Sequence, residues 1–250
     1  MAEINNIKET LKTGDISIFL GGLLVLVGFT PTFFLKPVFG AGKPLTLLVL
    51  IHGLTTTAWI ALFVYQYFAA SRGLLINHKR VGITGAVLFG VFITLSLVTA
   101  LARTAAGDPA TAGVAPLISL AYPFWVIFET LVFGSAAFVW VRRPHWHRHL
   151  QLAGFFALIA PATAPALRFV LTGGPLVTYG SLLISLALYI GATRLKDPGS
   201  DKLSTLALSI VGIQLWVAFL IFLSVNGATF WLQFASAITG YPVPASALAG

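Results

Sequence analysis

Residues 81–102 read VGITGAVLFGVFITLSLVTALA, 22 residues without one Asp, Glu, Lys or Arg. At about 1.5 Å per residue a helix of that length reaches about 33 Å, enough to cross the hydrocarbon layer of a bilayer. The run is too long for a strand and does not alternate, so it reads as a spanning helix. Six further runs share its character, at about 16–35, 45–69, 115–141, 150–171, 175–193 and 203–225. The breaks carry charge or turn signals, among them Lys36-Pro37, Ser71-Arg72-Gly73, Gly107-Asp108-Pro109, Arg142-Arg143-Pro144 and Asp197-Pro198-Gly199. The expected fold is therefore an all-α transmembrane bundle of seven helices in a single domain. Pro116 and Pro123 in the fourth run predict a kink or a late start.

Composition points the same way. Of 250 residues 58% are apolar and 9% charged, with mean hydropathy +0.94. Soluble chains carry about 25% charged residues. This excludes a soluble enzyme, a disordered tail and a secreted disulfide scaffold. There is no cysteine, so thiol catalysis, thiolate metal sites and iron–sulfur clusters are excluded as well. The formal net charge of +8 is the loop bias of a membrane protein rather than a nucleic-acid signal.

Sorting the cations by side of the membrane gives an orientation. The N-terminus and the even-numbered loops hold 11: Lys8, Lys12, Arg72, Lys79, Arg80, Arg142, Arg143, Arg148, Arg194, Lys196 and Lys202. The other side holds 4, Lys36, Lys43, Arg103 and Arg168. The excess places the N-terminus in the cytoplasm and the C-terminus outside. Ile4, Ile7 and Leu11 predict an interfacial helix over 2–13, and Phe230, Trp231 and Phe234 predict another over 229–239.

Two helix starts match at an offset of 69 residues: His78-Lys79-Arg80-Val81-Gly82 and His147-Arg148-His149-Leu150-Gln151, with Gly85 answering Gly154. Spans two–three and four–five thus read as two copies of one hairpin. On the third span His78, Gly82, Gly85, Ser96, Thr99 and Arg103 share a face. On the fifth, His147, Gln151, Gly154, Pro161, Pro165 and Arg168 do the same. Packing accounts equally well for the glycines, since Gly82-x3-Ala86-x3-Gly90 is a small-residue ridge.

Polar residues inside spans mark candidate sites. His52, Trp59 and Gln66 lie on one stripe of the second span, with Thr55, Thr56 and Phe63. Glu129 falls near mid-membrane, where an ionised carboxylate costs on the order of 3 kcal/mol, so it is protonated or paired. Arg168, His52 and Glu129 are expected to share an outer-half polar cavity, the alternative being a structural ion pair that fixes register. On the inner side His78 and His147 head equivalent helices and are candidate ligands for haem or a metal, with His149 as a third metal ligand. The competing reading makes them interfacial anchors. No metalloprotease, phosphate-loop or nucleophile-elbow motif is present.

Several stretches resemble a family of bacterial multipass inner-membrane proteins. Gly28-Phe29-Thr30-Pro31-Thr32-Phe33-Phe34-Leu35-Lys36-Pro37 is similar to its VGFxPTYYLRP opening. His52-Gly53, Thr57-Ala58-Trp59 and Gln66 are similar to HGxxxTAWxxLFxxQ, and His78-Lys79-Arg80-Val81-Gly82 to HRRLG. Pro144 to Leu150 stands where the family has RPxxHKRLMLL, departing at His149. The resemblance implies the fold, the topology and the choice of His52, Trp59, Gln66, His78 and His147. It implies no reaction.

Three functions remain open on the sequence. The first is a non-enzymatic accessory protein or subunit of a larger membrane complex, with the bilayer and other membrane subunits as its partners. The second is a redox protein holding haem or a metal on the inner-side histidines. The third is a carrier or sensor of a small apolar or protonatable ligand, using His52, Trp59, Gln66, Glu129 and Arg168.

Overall fold

The computed structural model describes residues 13–40, 44–172, 174–194, 228–244 and 247. The helix expected over 2–13 and the span expected over 203–225 lie essentially outside them, as do Lys8, Lys12, Lys43, Lys196 and Lys202. Among the described residues the regular structure is entirely helical. In lipid every backbone N–H and C=O must find its partner within the chain, and a helix achieves this within one segment.

The elements are α1 (Thr13–Phe29), α2 (Lys36–Phe39), α3 (Leu47–Ser71), α4 (Leu75–Ala105), α5 (Pro109–Ala112), α6 (Ala115–Val139), α7 (Pro144–Leu167), α8 (Gly174–Arg194) and α9 (Ala228–Thr239). Among the described residues five stretches are long and apolar enough to cross a membrane: Gly14–Phe34, α3, α4, α6 and α7. The apolar part of α8, Tyr179–Thr193, is shorter. Large apolar side chains such as Ile83, Val139 and Leu183 point outward. In water such a surface would be a liability, whereas here it faces hydrocarbon. The chain is an α-helical multipass membrane protein.

The ends of the helices follow from local chemistry. α1 runs into one wide turn at Thr30–Phe34, where the Leu35 amide donates to the Thr30 carbonyl five residues back, at 2.8 Å. The Thr46 hydroxyl caps α3 by accepting from the Val49 amide at 3.3 Å. Gly73, at φ 77°, turns the chain between α3 and α4. Pro144 opens α7, so the histidine run at 145–149 begins that helix instead of preceding it. Pro116 falls in the first turn of α6, and Pro123 sits inside it.

α7 is the hub, packing on α6, α8 and α1, while α4 bridges α3 and α6. An aromatic layer fills the middle of the bundle. Trp59 stacks on Phe92 (centroids 5.1 Å apart), and Phe63 stacks on Phe155 (4.2 Å). Phe89 lies where a side chain at position 134 would be, so only glycine there lets α4 close on α6. A second cluster joins α9 to the start of α6. In it Trp231 Nε1 donates to the Leu117 carbonyl at 2.8 Å, and the Tyr241 hydroxyl donates to the Gly113 carbonyl at 2.7 Å.

Candidate functional site

The aromatic layer divides the polar residues of the bundle into two groups. One lies at the α3–α4 and α6–α7 turns. α4 begins at Leu75 and α7 at Pro144, so His78 and His147 are each the fourth residue of their helix. Their rings come within 6.1 Å, centroid to centroid, with planes at 78°. His147 Nδ1 stands 2.8 Å from the Ala137 carbonyl. A carbonyl only accepts, so Nδ1 carries the proton and the neutral ring keeps its lone pair on Nε2.

His78 is held differently. Gln66 Nε2 donates to the His78 backbone carbonyl at 3.1 Å, which ties the two helices together, and the Gln66 backbone lies in turn by the His78 ring. His78 Nδ1 and Gln66 Oε1 are both buried without a hydrogen bond among the described residues. Two such atoms in one cluster are unusual, because buried polar atoms are nearly always satisfied.

His149 does not join this pair. Two residues along the helix it points the other way, is 1% exposed, and lies ring to ring with His145 at 4.4 Å. Among the described residues no three His, Cys, Asp or Glu side chains gather into a metal set. Beside the pair, Asp15 of α1 and Arg148 of α7 both lie by the Tyr67 hydroxyl of α3. The sequence reading placed Arg148 on this side but did not connect it with Asp15 or Tyr67. These are one acid, one base and one phenol on three separate helices, with no shared motif.

The second group lies beyond the aromatic layer, towards the α4–α6 loop. The Thr56 hydroxyl donates to the His52 carbonyl at 2.8 Å and lies 3.5 Å from His52 Nδ1. The charged group acting on His52 is Arg103. Arg168 is exposed at the end of α7. Glu129 has no cation acting on it among the described residues, and its polar neighbour is Tyr122, which lies by Ser181 of α8. The structure thus brings His52 to Arg103 and Glu129 to Tyr122, and it does not bring His52, Glu129 and Arg168 together. Trp59 belongs to the aromatic layer between the two groups.

Of the two, the histidine pair has the more definite chemistry. Two imidazoles that share one metal through bonds of about 2.0 Å have ring centres about 5–6 Å apart, depending on the angle between the bonds. Metal-bound histidines also characteristically donate their second nitrogen to a carbonyl, as His147 does to Ala137. The residues present therefore fit a centre that takes two imidazoles. Compared with family models, with curated proteins and with solved structures, the chain matches none, so the family resemblance rests on the quoted motifs alone.

Proposed function

We propose that this is a seven-span bacterial inner-membrane redox protein that holds a transition-metal centre between His78 and His147. The centre is haem iron or a bare ion favouring two nitrogen ligands. The observation that carries the reading is the contact between the two rings, at 6.1 Å and nearly perpendicular, with one ring's tautomer fixed by a carbonyl. That contact favours a redox centre over an accessory-subunit role. In this reading the two copies of the hairpin each contribute one ligand, and the charge excess puts both on the cytoplasmic side. The remaining spans are α8 and the run at 203–225.

His147 would bind through Nε2, with its Nδ1 proton held by Ala137. His78 offers a ring whose Nδ1 has no hydrogen bond among the described residues. Gln66 sets the height of His78 through the backbone. When bound, such a centre supplies one-electron transfer. Phe63, Phe155 and their neighbours close the bundle behind it and keep water out of the middle of the membrane.

The test is an optical spectrum, oxidised and dithionite-reduced, with metal analysis of protein purified gently from its native membrane. A Soret band identifies haem, and stoichiometric copper or another metal without one identifies a bare ion. His78→Ala and His147→Ala should each abolish the signal while the protein still elutes as a folded species. A colourless, metal-free wild-type protein that co-purifies with other chains overturns the proposal in favour of the subunit role.

A further inference from the structure

The outer polar group contains a buried donor with nothing to donate to. On α4 the hydroxyls of Thr94, Ser96 and Thr104 each bond back to the carbonyl four residues earlier, at 2.9, 2.7 and 3.0 Å. This is the usual refuge of a hydroxyl inside a membrane helix. Thr99, on the same helix and only 6% exposed, does not: its Oγ1 is buried without a hydrogen bond among the described residues. Buried polar groups are nearly always hydrogen-bonded, so a lone unsatisfied hydroxyl calls for an explanation.

The register of the hairpin shows what Thr99 faces. Trp59 stacks on Phe92. Seven residues back along α3 is His52, and seven residues forward along antiparallel α4 is Thr99. Both therefore stand about 10 Å beyond the stack, at one depth. Arg103 follows Thr99 by one turn and acts on His52. No acid acts on His52 among the described residues. Phe33, delivered by the wide turn at Thr30–Phe34, lies with its ring where a side chain at Gly53 would be, next to His52. Wide turns of this kind occur often at functional sites.

A guanidinium, a buried unsatisfied hydroxyl and an imidazole that donates through one nitrogen, with an aromatic ring nearby, suit one kind of ligand. It is flat and apolar, it reaches its site through lipid, and it offers oxygen acceptors. We infer that His52, Thr99 and Arg103, with Phe33 beside them, bind a ring bearing carbonyl oxygens, a ligand of the quinone class. The ring packs by Phe33 and its carbonyls accept from the imidazole, the hydroxyl and the guanidinium. This deepens the redox reading, on which the ligand's role rests, because a quinone is a lipid-soluble electron carrier. Binding itself does not depend on that reading.

The experiment is a titration of the purified full chain with decylubiquinone, read by tryptophan fluorescence quenching and by equilibrium dialysis. Wild type should bind saturably. Thr99→Val, which keeps the shape and removes the hydroxyl, should weaken binding about tenfold, as should His52→Leu. Absence of saturable binding by wild type overturns the inference, and so does equal affinity in both variants at unchanged thermal stability. Displacement of the quinone by phosphatidylglycerol vesicles, but not by phosphatidylcholine vesicles, also overturns it and makes the site one for an anionic headgroup. The optical spectrum of the same wild-type sample separates the two proposals. Quinone binding to a colourless, metal-free protein keeps this inference and defeats the redox centre, whereas a metal signal without quinone binding does the reverse.

Discussion

The α3–α4 and α6–α7 hairpins place a histidine at the same position and then hold it by opposite means. In the α6–α7 hairpin the ring of His147 is tied to the backbone of the preceding helix, through Ala137. In α3–α4 the side chain lies on the preceding helix, as Gln66, and the backbone of His78 receives the bond. In one hairpin the preceding helix takes the Nδ1 proton of the ring, and in the other it holds the backbone of the histidine and leaves Nδ1 of the ring without a hydrogen bond among the described residues.

The comparison can be broken or sharpened in steps. The largest effect is expected from Gly134→Leu, because the Phe89 ring already occupies the space that the new side chain needs. Overpacking of this kind costs about 1–3 kcal/mol or more, and here it forces the two hairpins apart. The variant should lose most of its thermal stability in detergent and any centre shared between the hairpins. Retention of a wild-type melting curve would show that α4 and α6 do not close on each other at this point.

A smaller loss, about 1 kcal/mol, is expected from Gln66→Leu, which removes the bond to His78 and also the buried unsatisfied Oε1. Its melting temperature should fall by a few degrees at most, with both histidines still present. The smallest effect needs no substitution. In 15N-labelled protein at neutral pH, without a metal, His147 should carry its proton on Nδ1, held by Ala137, whereas His78, whose Nδ1 has no hydrogen bond among the described residues, should not. The same tautomer at both positions would erase the difference between the hairpins.

Much of this architecture is legible in the sequence, and the limit is depth. Hydropathy locates the helices because the bilayer sets a length, and helical periodicity finds the face that carries His52, Trp59 and Gln66. The offset of 69 residues singles out His78 and His147 because it compares two stretches of the same sequence. Pairings between helices that share no such pattern are not accessible in this way. Two arginines, Arg103 and Arg168, are available to His52 by sequence. The one that acts on it, Arg103, is selected by the Trp59–Phe92 stack, a contact that no periodicity reports. The Asp15, Tyr67 and Arg148 grouping is hidden for the same reason, since it depends on the relative height of α1, α3 and α7. The expected grouping of Arg168 with Glu129 rests on helix faces alone, which carry no information on relative level.

The latch at the other end of the bundle bears on how the protein is made. Trp231 reaches a carbonyl 114 residues earlier in the chain, and Tyr241 reaches one 128 residues earlier. Translation adds roughly 5–20 residues per second, so α6 waits on the order of ten seconds for its partner. During that interval Leu117, Leu120 and Ala121 have no α9 to cover them. A nascent chain stalled before Ala228 would carry all five of the long apolar helices found among the described residues and still expose this unfinished corner.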